Sequence, residues 1–408
     1  MEHRTLTLTE YKTAKEVSLS EAEAGWLQEC FPILDVRPTW QRPGRYDLTP
    51  GSHVGTVALP GLTVLIRPKI SAERVLFLIS YVLDPVKWQH AMSSLSVQND
   101  LVEGMAALFG VALRRALAQG VQQGYRTKEE ALSSVRGRIR FDDQLRRRFL
   151  APIPLEVTYD DFTLDTDLNR LLFAALRRLR RLPMRSSAVR AELGACHATF
   201  VDGVSAVEYG HHQLPELSWN RLNQHFRPAA ALARAILAST SLELEHGGVR
   251  GTAFTIDMNV VFEEFVRAAL RNALGLPNSA WPERPPRGLT LDLGERITLL
   301  PDLTWRKGGR VVFVGDAKYK RVARGGASNA DLYQLHAYAT ALSLPAGLLV
   351  YAEGDEHEAV HTVRQTGTRL IVRTLKVDGQ PAEVLEAVGN LALRVASLRK
   401  ESSHGLVA

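Results

Sequence analysis

The spacing of apolar and polar positions changes twice along the chain and predicts three regions. Up to about Lys87, short β-like runs such as residues 61–67 alternate with Pro and Gly positions. From about Ser96 the apolar residues take helical spacing, and residues 245–251 then form a glycine-rich break. We therefore predict a multidomain α/β chain of the α+β type: a β-rich domain at 1–90, a helical and basic hairpin region at 91–245, and a last domain at 246–408.

Within the last domain the order of elements is a helix, a strand pair, a second helix and a returning strand. Asp257 is expected to cap the first helix, which has an apolar face around Phe262 and Phe265. Strands are predicted at 289–293, 296–305, 310–319 and 346–351, with a turn at 307–309 and a helix over 330–342. Helices are also predicted in the middle region, from about Asp167 and over about 228–239.

Composition narrows the class of protein. The chain has 408 residues, 45% of them hydrophobic, and no apolar run near the ~20 residues that span a bilayer. Its start lacks the layout of a secretory signal, so we expect a cytoplasmic protein with no membrane partner. Cys30 and Cys196 stand alone, which favours two reduced thiols over a disulfide or a zinc site.

Positive charge is concentrated in the middle region, although the formal net charge is only +6. Such a series can neutralise phosphates along a duplex; the alternative interpretation is a solvated protein face. The candidate nucleic-acid contacts are Arg136, Arg138, Arg140, Arg146, Arg147 and Arg148, with Lys320 in the last domain.

Asp302, Asp316 and Lys318 form the constellation that carries chemistry. Residues two apart in a strand share a face, so Asp316 and Lys318 project together. If the hairpin pairs Trp305 with Val311, Asp302 lies opposite Val314 and diagonal to Asp316, with Cα atoms about 7–8 Å apart. The alternative is that Asp302 caps a turn and Asp316–Lys318 is a solvated ion pair.

Two carboxylates at the end of an apolar strand pair need a compensating charge. Mg²⁺, with Mn²⁺ as the alternative ion, suits oxygen ligands such as Asp302, Asp316 and the carbonyl of Ala317. Lys318 would orient or deprotonate the attacking water, and Glu263 would add a direct or outer ligand.

Gln334 and Tyr338 lie four residues apart in the second helix and therefore on one face. They are candidates for contacting a phosphate or bracing the lysine; an ordinary helix surface is the alternative.

These residues resemble a known family. The order of elements and the run Pro301-Asp302 … Asp316-Ala317-Lys318 resemble the PD-(D/E)xK nuclease superfamily. Asp257-Met258-Asn259 before Phe262-Glu263, the run 300–303 and the run 315–320 look more narrowly like the McrC family, as do residues 135–139 and 165–169 in the middle region.

The resemblance implies a restriction-endonuclease-like last domain that cuts double-stranded DNA, with catalytic roles for Asp302, Asp316 and Lys318. It also implies an McrB-like partner, a GTP-hydrolysing AAA+ ring that recognises methylated cytosine, and pairing of two last domains for a double-strand break. The chain has no G-x-x-x-x-G-K-[ST] loop, which agrees with GTP hydrolysis by the partner and not by this chain. A stand-alone repair or recombination nuclease and a non-cutting adaptor of an NTPase are the alternatives.

Overall fold

The computed structural model describes residues 3–40, 42–83, 101–148, 153–182, 184–210, 213–239, 244–246, 248–283, 288–322, 326–354 and 358–404. The chain divides into two compact units. The first unit combines residues 1–104 with 243–408, and the second comprises 105–242. The predicted domains 1–90 and 246–408 therefore both lie in the first unit, and the predicted limit at 90 lies outside the described residues.

The N-terminal part of the first unit is rich in strands, as predicted. Its elements are β1 (Arg4–Thr9), β2 (Ala14–Ser18), α1 (Glu21–Cys30), β3 (Leu34–Pro38), β4 (Arg45–Pro50), β5 (His53–Leu59), β6 (Leu62–Arg67) and α2 (Ala72–Leu83). Alternating burial along β5 and β6 gives each strand a core face, with Val57 and Val64 fully buried. Trp26 and Leu27 of α1 complete this core.

The glycine-rich segment predicted as the boundary of the last domain follows directly after the division between the two units, which lies between residues 242 and 243, and its described residues form a hairpin. It forms β10 (Leu244–His246) and β11 (Val249–Asp257), and β11 pairs antiparallel with β5. The resulting sheet has the order β1-β6-β5-β11-β10. Gly251 has no room for a side chain, because a Cβ there would stand 2.4 Å from the Trp26 ring.

The C-terminal part of the first unit is a second five-stranded sheet with helices. Its elements, numbered in chain order, are α8 (Met258–Ala273), β12 (Leu303–Lys307), β13 (Arg310–Arg321), α9 (Asn329–Ala341), β14 (Ala346–Glu353), β15 (Ala359–Thr362), β16 (Arg369–Thr374) and α10 (Pro381–His404). The strand order is β12-β13-β14-β16-β15, in which β13, β14 and β16 run parallel and the two edge strands antiparallel. The strands predicted at 289–293 and 296–305 are shorter than expected. The structure has one isolated bridge between Thr290 and Thr298, followed by β12.

Helix α8 is stabilised by an N-terminal cap and by aromatic packing. Asp257 caps it by accepting a hydrogen bond from the Asn259 amide, as predicted. Its apolar face reaches α2, where Phe265 packs edge-on against Phe77 and Tyr81 with ring centres 5.7 and 5.5 Å away.

The second unit contains the predicted helices and a small sheet. Its elements are α3 (Leu101–Leu117), β7 (Gly124–Leu132), β8 (Arg138–Ile139), α4 (Phe141–Arg147), β9 (Leu155–Thr163), α5 (Asp167–Arg181), α6 (Ser187–Ala198) and α7 (Arg227–Ser239), with sheet order β7-β9-β8. Thr166 caps α5, whose apolar face is fully buried at Leu171 and Leu172.

Cys30 and Cys196 are free thiols, as predicted. Within the described ranges, no helix combines the length and the apolar character needed to cross a membrane.

Candidate active site

The hairpin of β12 and β13 brings the two predicted aspartates together, in a register that differs from the predicted one. Trp305 pairs with Phe313, not with Val311, because a bulge lies between Trp305 and Arg306. The same register, continued one residue beyond β12, places Asp302 directly opposite Asp316. The carboxylates therefore face each other across the strand pair and are closer than a diagonal pair would be.

Asp302 is held by both neighbouring elements. Its Oδ2 accepts a hydrogen bond from the Ala317 amide at 3.0 Å, and its backbone oxygen accepts one from Arg267 Nε at 2.9 Å. The N–H and C=O of one strand residue point to the same edge, so the Ala317 carbonyl also faces Asp302. Arg267 was not predicted from the sequence, although it lies four residues after Glu263 and so on the same helix face.

Asp316 is almost fully buried, with 1% of its surface exposed. Its Oδ2 forms an ion pair with Lys318 Nζ at 2.5 Å, but neither of the two buried carboxylate oxygens has a hydrogen-bond partner among the described residues. Burial, followed by the negative charge of Asp302, raises the pKa of Asp316 to about 8. An ionised Asp316 carboxylate therefore has one neighbouring cation, Lys318, and no hydrogen-bond donor among the described residues, so its negative charge is only partly compensated.

Glu263 extends the acidic centre from α8. Burial, followed by the charge of Asp302, raises the pKa of Glu263 to about 7. Burial by itself lowers the pKa of Lys318, but the attraction of Asp316 and the other carboxylates outweighs it and raises the pKa above its ordinary value. The lysine is thus a retained cation among three acidic groups.

Gln334 and Tyr338 contact each other, as their spacing predicts. Gln334 Nε2 donates to the Tyr338 hydroxyl at 2.6 Å, and that hydroxyl donates to the Leu300 carbonyl at 3.2 Å. Tyr338 is buried and braces the segment that leads into Asp302. Burial, followed by the negative charge of Asp316, raises the pKa of Tyr338, which places the hydroxyl close to the acidic centre; the proposed catalytic role of Gln334 and Tyr338 stays a prediction.

Lys320 lies further along β13. Its ammonium contacts Asp331 Oδ2 at 2.7 Å, and its side chain is 43% exposed. Lys320, Lys318, Glu263 and Tyr11 are among the residues that line a cleft of about 580 Å³.

The predicted basic residues of the middle region lie in the second unit, where most of them pair with acidic neighbours. Arg136 contacts Asp161 at 2.8 Å and Arg148 contacts Glu156 at 3.1 Å. Arg140 pairs with Glu129 and Asp143, and Arg147 lies 3.8 Å from Glu156. The structure records no ion pair for Arg138 or Arg146 among the described residues.

The acidic centre fits a hard divalent cation bound by few protein ligands. In the part of the chain that the structure describes, no three His, Cys, Asp or Glu side chains form a ready metal site. Mg²⁺ is commonly bound by only one or two carboxylates together with water. The unpartnered Oδ1 of Asp316, the facing Asp302 carboxylate and the Ala317 carbonyl meet that requirement.

The structure thus defines a mixed α/β protein whose C-terminal sheet carries a buried acidic centre with an adjacent lysine. A family model for a component of the McrBC 5-methylcytosine restriction system matches residues 48–352. The chain belongs to this family, and the resemblance to McrC is confirmed.

Two solved structures are similar. One is a half-complex from a tetradecameric assembly of Thermococcus gammatolerans McrB AAA+ hexamers with bound McrC. It has a TM-score of 0.57 and 19% identity, with 96% of this chain and 99% of that chain covered. The other, a cryo-EM structure of the Thermococcus gammatolerans McrBC complex, has a TM-score of 0.41 and 19% identity over 66% of this chain and 88% of that chain. Comparison with curated proteins gives no match.

Proposed function

We propose that this chain is the Mg²⁺-dependent endonuclease subunit of a modification-dependent restriction system and hydrolyses phosphodiester bonds in double-stranded DNA. The observation that carries the proposal is the buried Asp316 carboxylate, which faces the partly buried Asp302 and contacts Lys318. Such a pair destabilises the folded chain unless it binds a cation, which favours a functional role over a structural one. We assign the C-terminal sheet and helices to the PD-(D/E)xK endonuclease fold.

Asp302, Asp316 and the Ala317 carbonyl would hold Mg²⁺, or Mn²⁺ in its place, and Glu263 would bind it directly or through water. When bound, the ion supplies Lewis-acid activation of water and charge neutralisation at the phosphate. The ammonium of Lys318 donates hydrogen bonds to the attacking water or to a phosphate oxygen. We therefore assign Lys318 the positioning of the nucleophile, since an ammonium has no lone pair with which to remove a proton.

The partner in this proposal is an McrB-like AAA+ GTPase ring, with DNA containing methylated cytosine as the substrate. Support comes from the family match and from the fold shared along nearly the whole length of a chain of the McrB–McrC assembly. A double-strand break requires two active sites, so two C-terminal parts would meet at cleavage.

The test is cleavage of methylated DNA by the chain together with its GTPase partner and Mg²⁺. We expect Asp316→Ala and Asp316→Asn to lower the cleavage rate about 100- to 1,000-fold, because each removes a ligand of the cation that would neutralise charge at the reacting phosphate. Asp378→Asn, at an exposed position outside the site, is the matched control and should cut normally. Undiminished cutting by the Asp316 variants would eliminate this site.

A binding measurement separates the alternatives. Mg²⁺ should raise the melting temperature of the wild-type chain but not that of Asp316→Asn, because only the intact site binds the ion. A lack of Mg²⁺ binding by calorimetry would favour the non-cutting adaptor. Cleavage without any NTPase partner would favour the stand-alone nuclease.

A further inference from the structure

The cleft beside the acidic centre has a second wall that comes from the N-terminal sheet. Glu263, Lys318 and Lys320 line one side, and Tyr11, in the turn after β1, also lines the cleft. Both sides belong to the first unit. The N-terminal part of the first unit therefore lines the same cleft that a substrate would enter to reach Lys318.

Tyr11 occupies a backbone position that favours glycine. The Lys12 amide donates to the Thr9 carbonyl at 3.1 Å, which closes a tight turn, and Tyr11 has φ 57° within it. A residue with a Cβ is strained in this left-handed region, and such strain is often found at functional sites. The hydroxyl of Tyr11 hydrogen-bonds Ser52 and Asn259, yet the residue remains 42% exposed, which leaves part of it accessible from the cleft.

Lys69 adds a positive charge to the same wall. Its ammonium lies 4.5 Å from the centre of the Tyr11 ring and 5.6 Å from that of Tyr319. A looser contact at 3.9 Å joins it to Glu353, and 29% of the lysine side chain is exposed. An aromatic face with a neighbouring ammonium is the combination that nucleic-acid-binding grooves use for a base or sugar and its phosphate.

A buried carboxylate ties this wall to the catalytic strand. Glu10 is fully buried; its Oε1 accepts the Lys69 amide at 2.6 Å and the Tyr319 hydroxyl at 2.9 Å. Tyr319 is the residue after Lys318 on β13. The wall is thus anchored one residue away from the lysine of the active site.

We propose that Tyr11 and Lys69 form a DNA-binding subsite that holds the nucleotide next to the scissile phosphate. The tyrosine ring packs against the sugar or an unstacked base, and the lysine contacts the adjoining phosphate. This inference rests on the proposed nuclease function, and it gives the N-terminal sheet a direct role in holding the substrate.

The experiment measures DNA affinity without cleavage. The full chain carrying Asp316→Asn is titrated with a fluorescent oligonucleotide, single-stranded or duplex, at several salt concentrations. Lys69→Met should flatten the slope of log affinity against log salt by about 1, because one phosphate contact is lost. Lys307→Met, in the exposed turn at the far end of the β12–β13 hairpin, removes the same charge and should leave the slope unchanged.

Tyr11 is tested by two variants with opposite expectations. Tyr11→Gly removes the ring and the hydroxyl's hydrogen bonds with Ser52 and Asn259, and it relieves the backbone strain; in a chain that is still folded by circular dichroism, affinity for the single strand should fall about 5- to 100-fold. Tyr11→Phe keeps the ring and should bind like the parent.

The proposal is overturned if the parent chain binds no DNA, or if Tyr11→Gly and Lys69→Met match Lys307→Met. Neither result depends on cleavage, so either one leaves the nuclease proposal to be judged separately by the Asp316 variants.

Discussion

Asp316 and Asp165 show how differently two carboxylates are used in this chain. Asp316 faces another carboxylate in a buried position, which raises its pKa to about 8. Asp165 accepts hydrogen bonds from Arg170 and from the amide and hydroxyl of Ser205, and it also contacts Arg126. The pKa of Asp165 is therefore lowered, chiefly by the hydrogen bonds from Arg170. Asp316 is the proposed cation ligand, whereas Asp165 forms ion pairs within the second unit.

Asp165 gives a pH-dependent prediction. Its folded-state pKa lies below the unfolded value of about 3.9, so the stabilisation is present above that pH and is lost as pH falls through the folded pKa. Asp165→Asn should lower the free energy of unfolding of the second unit by about 2–3 kcal/mol at pH 7. Chemical denaturation should show this difference shrinking below about pH 4.

The control is Asp202→Asn, an exposed position in the same unit with no recorded ion pair among the described residues. It should change the free energy of unfolding by less than about 0.5 kcal/mol at either pH. An Asp165→Asn effect that persisted unchanged at pH 3 would contradict the assignment of its ionised carboxylate as the stabilising group.

At the scale of elements, the β12–β13 hairpin decides whether the active site forms. Gly308 and Gly309 have φ values of 56° and 80°, which are typical of a two-residue type I′ turn. That turn pairs Lys307 with Arg310 and, continued without a bulge, would put Asp302 opposite Gly315. The bulge after Trp305 shifts the register by one residue and so turns the Asp302 side chain to the face of Asp316.

Gly309→Ala tests this turn. No atom lies within 4 Å of the added Cβ, so the variant reports backbone strain alone. We expect a loss of about 1–2 kcal/mol in the free energy of unfolding of the first unit, measured by urea titration. Gly389→Ala, in the interior of α10 with equally open surroundings, should instead stabilise by about 0.5–1 kcal/mol. Equal effects of the two substitutions would refute the turn assignment.

On the scale of the whole molecule, the first unit is built from both ends of the chain. Strand β11 pairs with β5, and α8 packs on α2 through Phe265, Phe77 and Tyr81. The Asn272 side chain also donates to the Tyr81 hydroxyl at 3.0 Å. The segment that carries the active site therefore buries part of its apolar surface on N-terminal residues.

A fragment of residues 246–408 should therefore not fold by itself, although the sequence pattern predicts it as a domain. Without β5 and α2, β11 loses its ladder and the Phe265 face is exposed to water. We expect weak near-ultraviolet circular dichroism, binding of a hydrophobic dye and no cooperative melting, in contrast to the full chain. A cooperative transition with bound Mg²⁺ in this fragment would show that it is an independent domain.

Charge is the other property that only the whole molecule reveals. The arginine series of the middle region suggests a strongly positive surface, yet four of its six members lie within 4 Å of acidic groups on β7, β9 and α4. Arg136 pairs with Asp161 on a strand that follows much later in the chain, and only the fold brings these two residues together. The role of this series in binding DNA stays a prediction, with Arg138 and Arg146 as its least compensated members.

Local structure, and the placement of Asp316 and Lys318 on one strand face, could be predicted from short stretches of sequence. Helical spacing and the Asp257 cap predict α8, the two glycines predict the hairpin turn, and the two-residue spacing puts Asp316 and Lys318 on one face. Each of these features depends on residues within a few positions of one another, so the order of apolar and polar residues is enough to predict it.

How distant segments meet could not be predicted from such short stretches. The bulge that brings Asp302 opposite Asp316, the Arg267 contact to Asp302, and the joining of Tyr11, Glu10 and Lys69 to the catalytic strand all depend on packing between segments far apart in sequence. Burial sets the pKa of Asp316 and Glu263 for the same reason, since the loss of water around a side chain is a property of the folded chain as a whole.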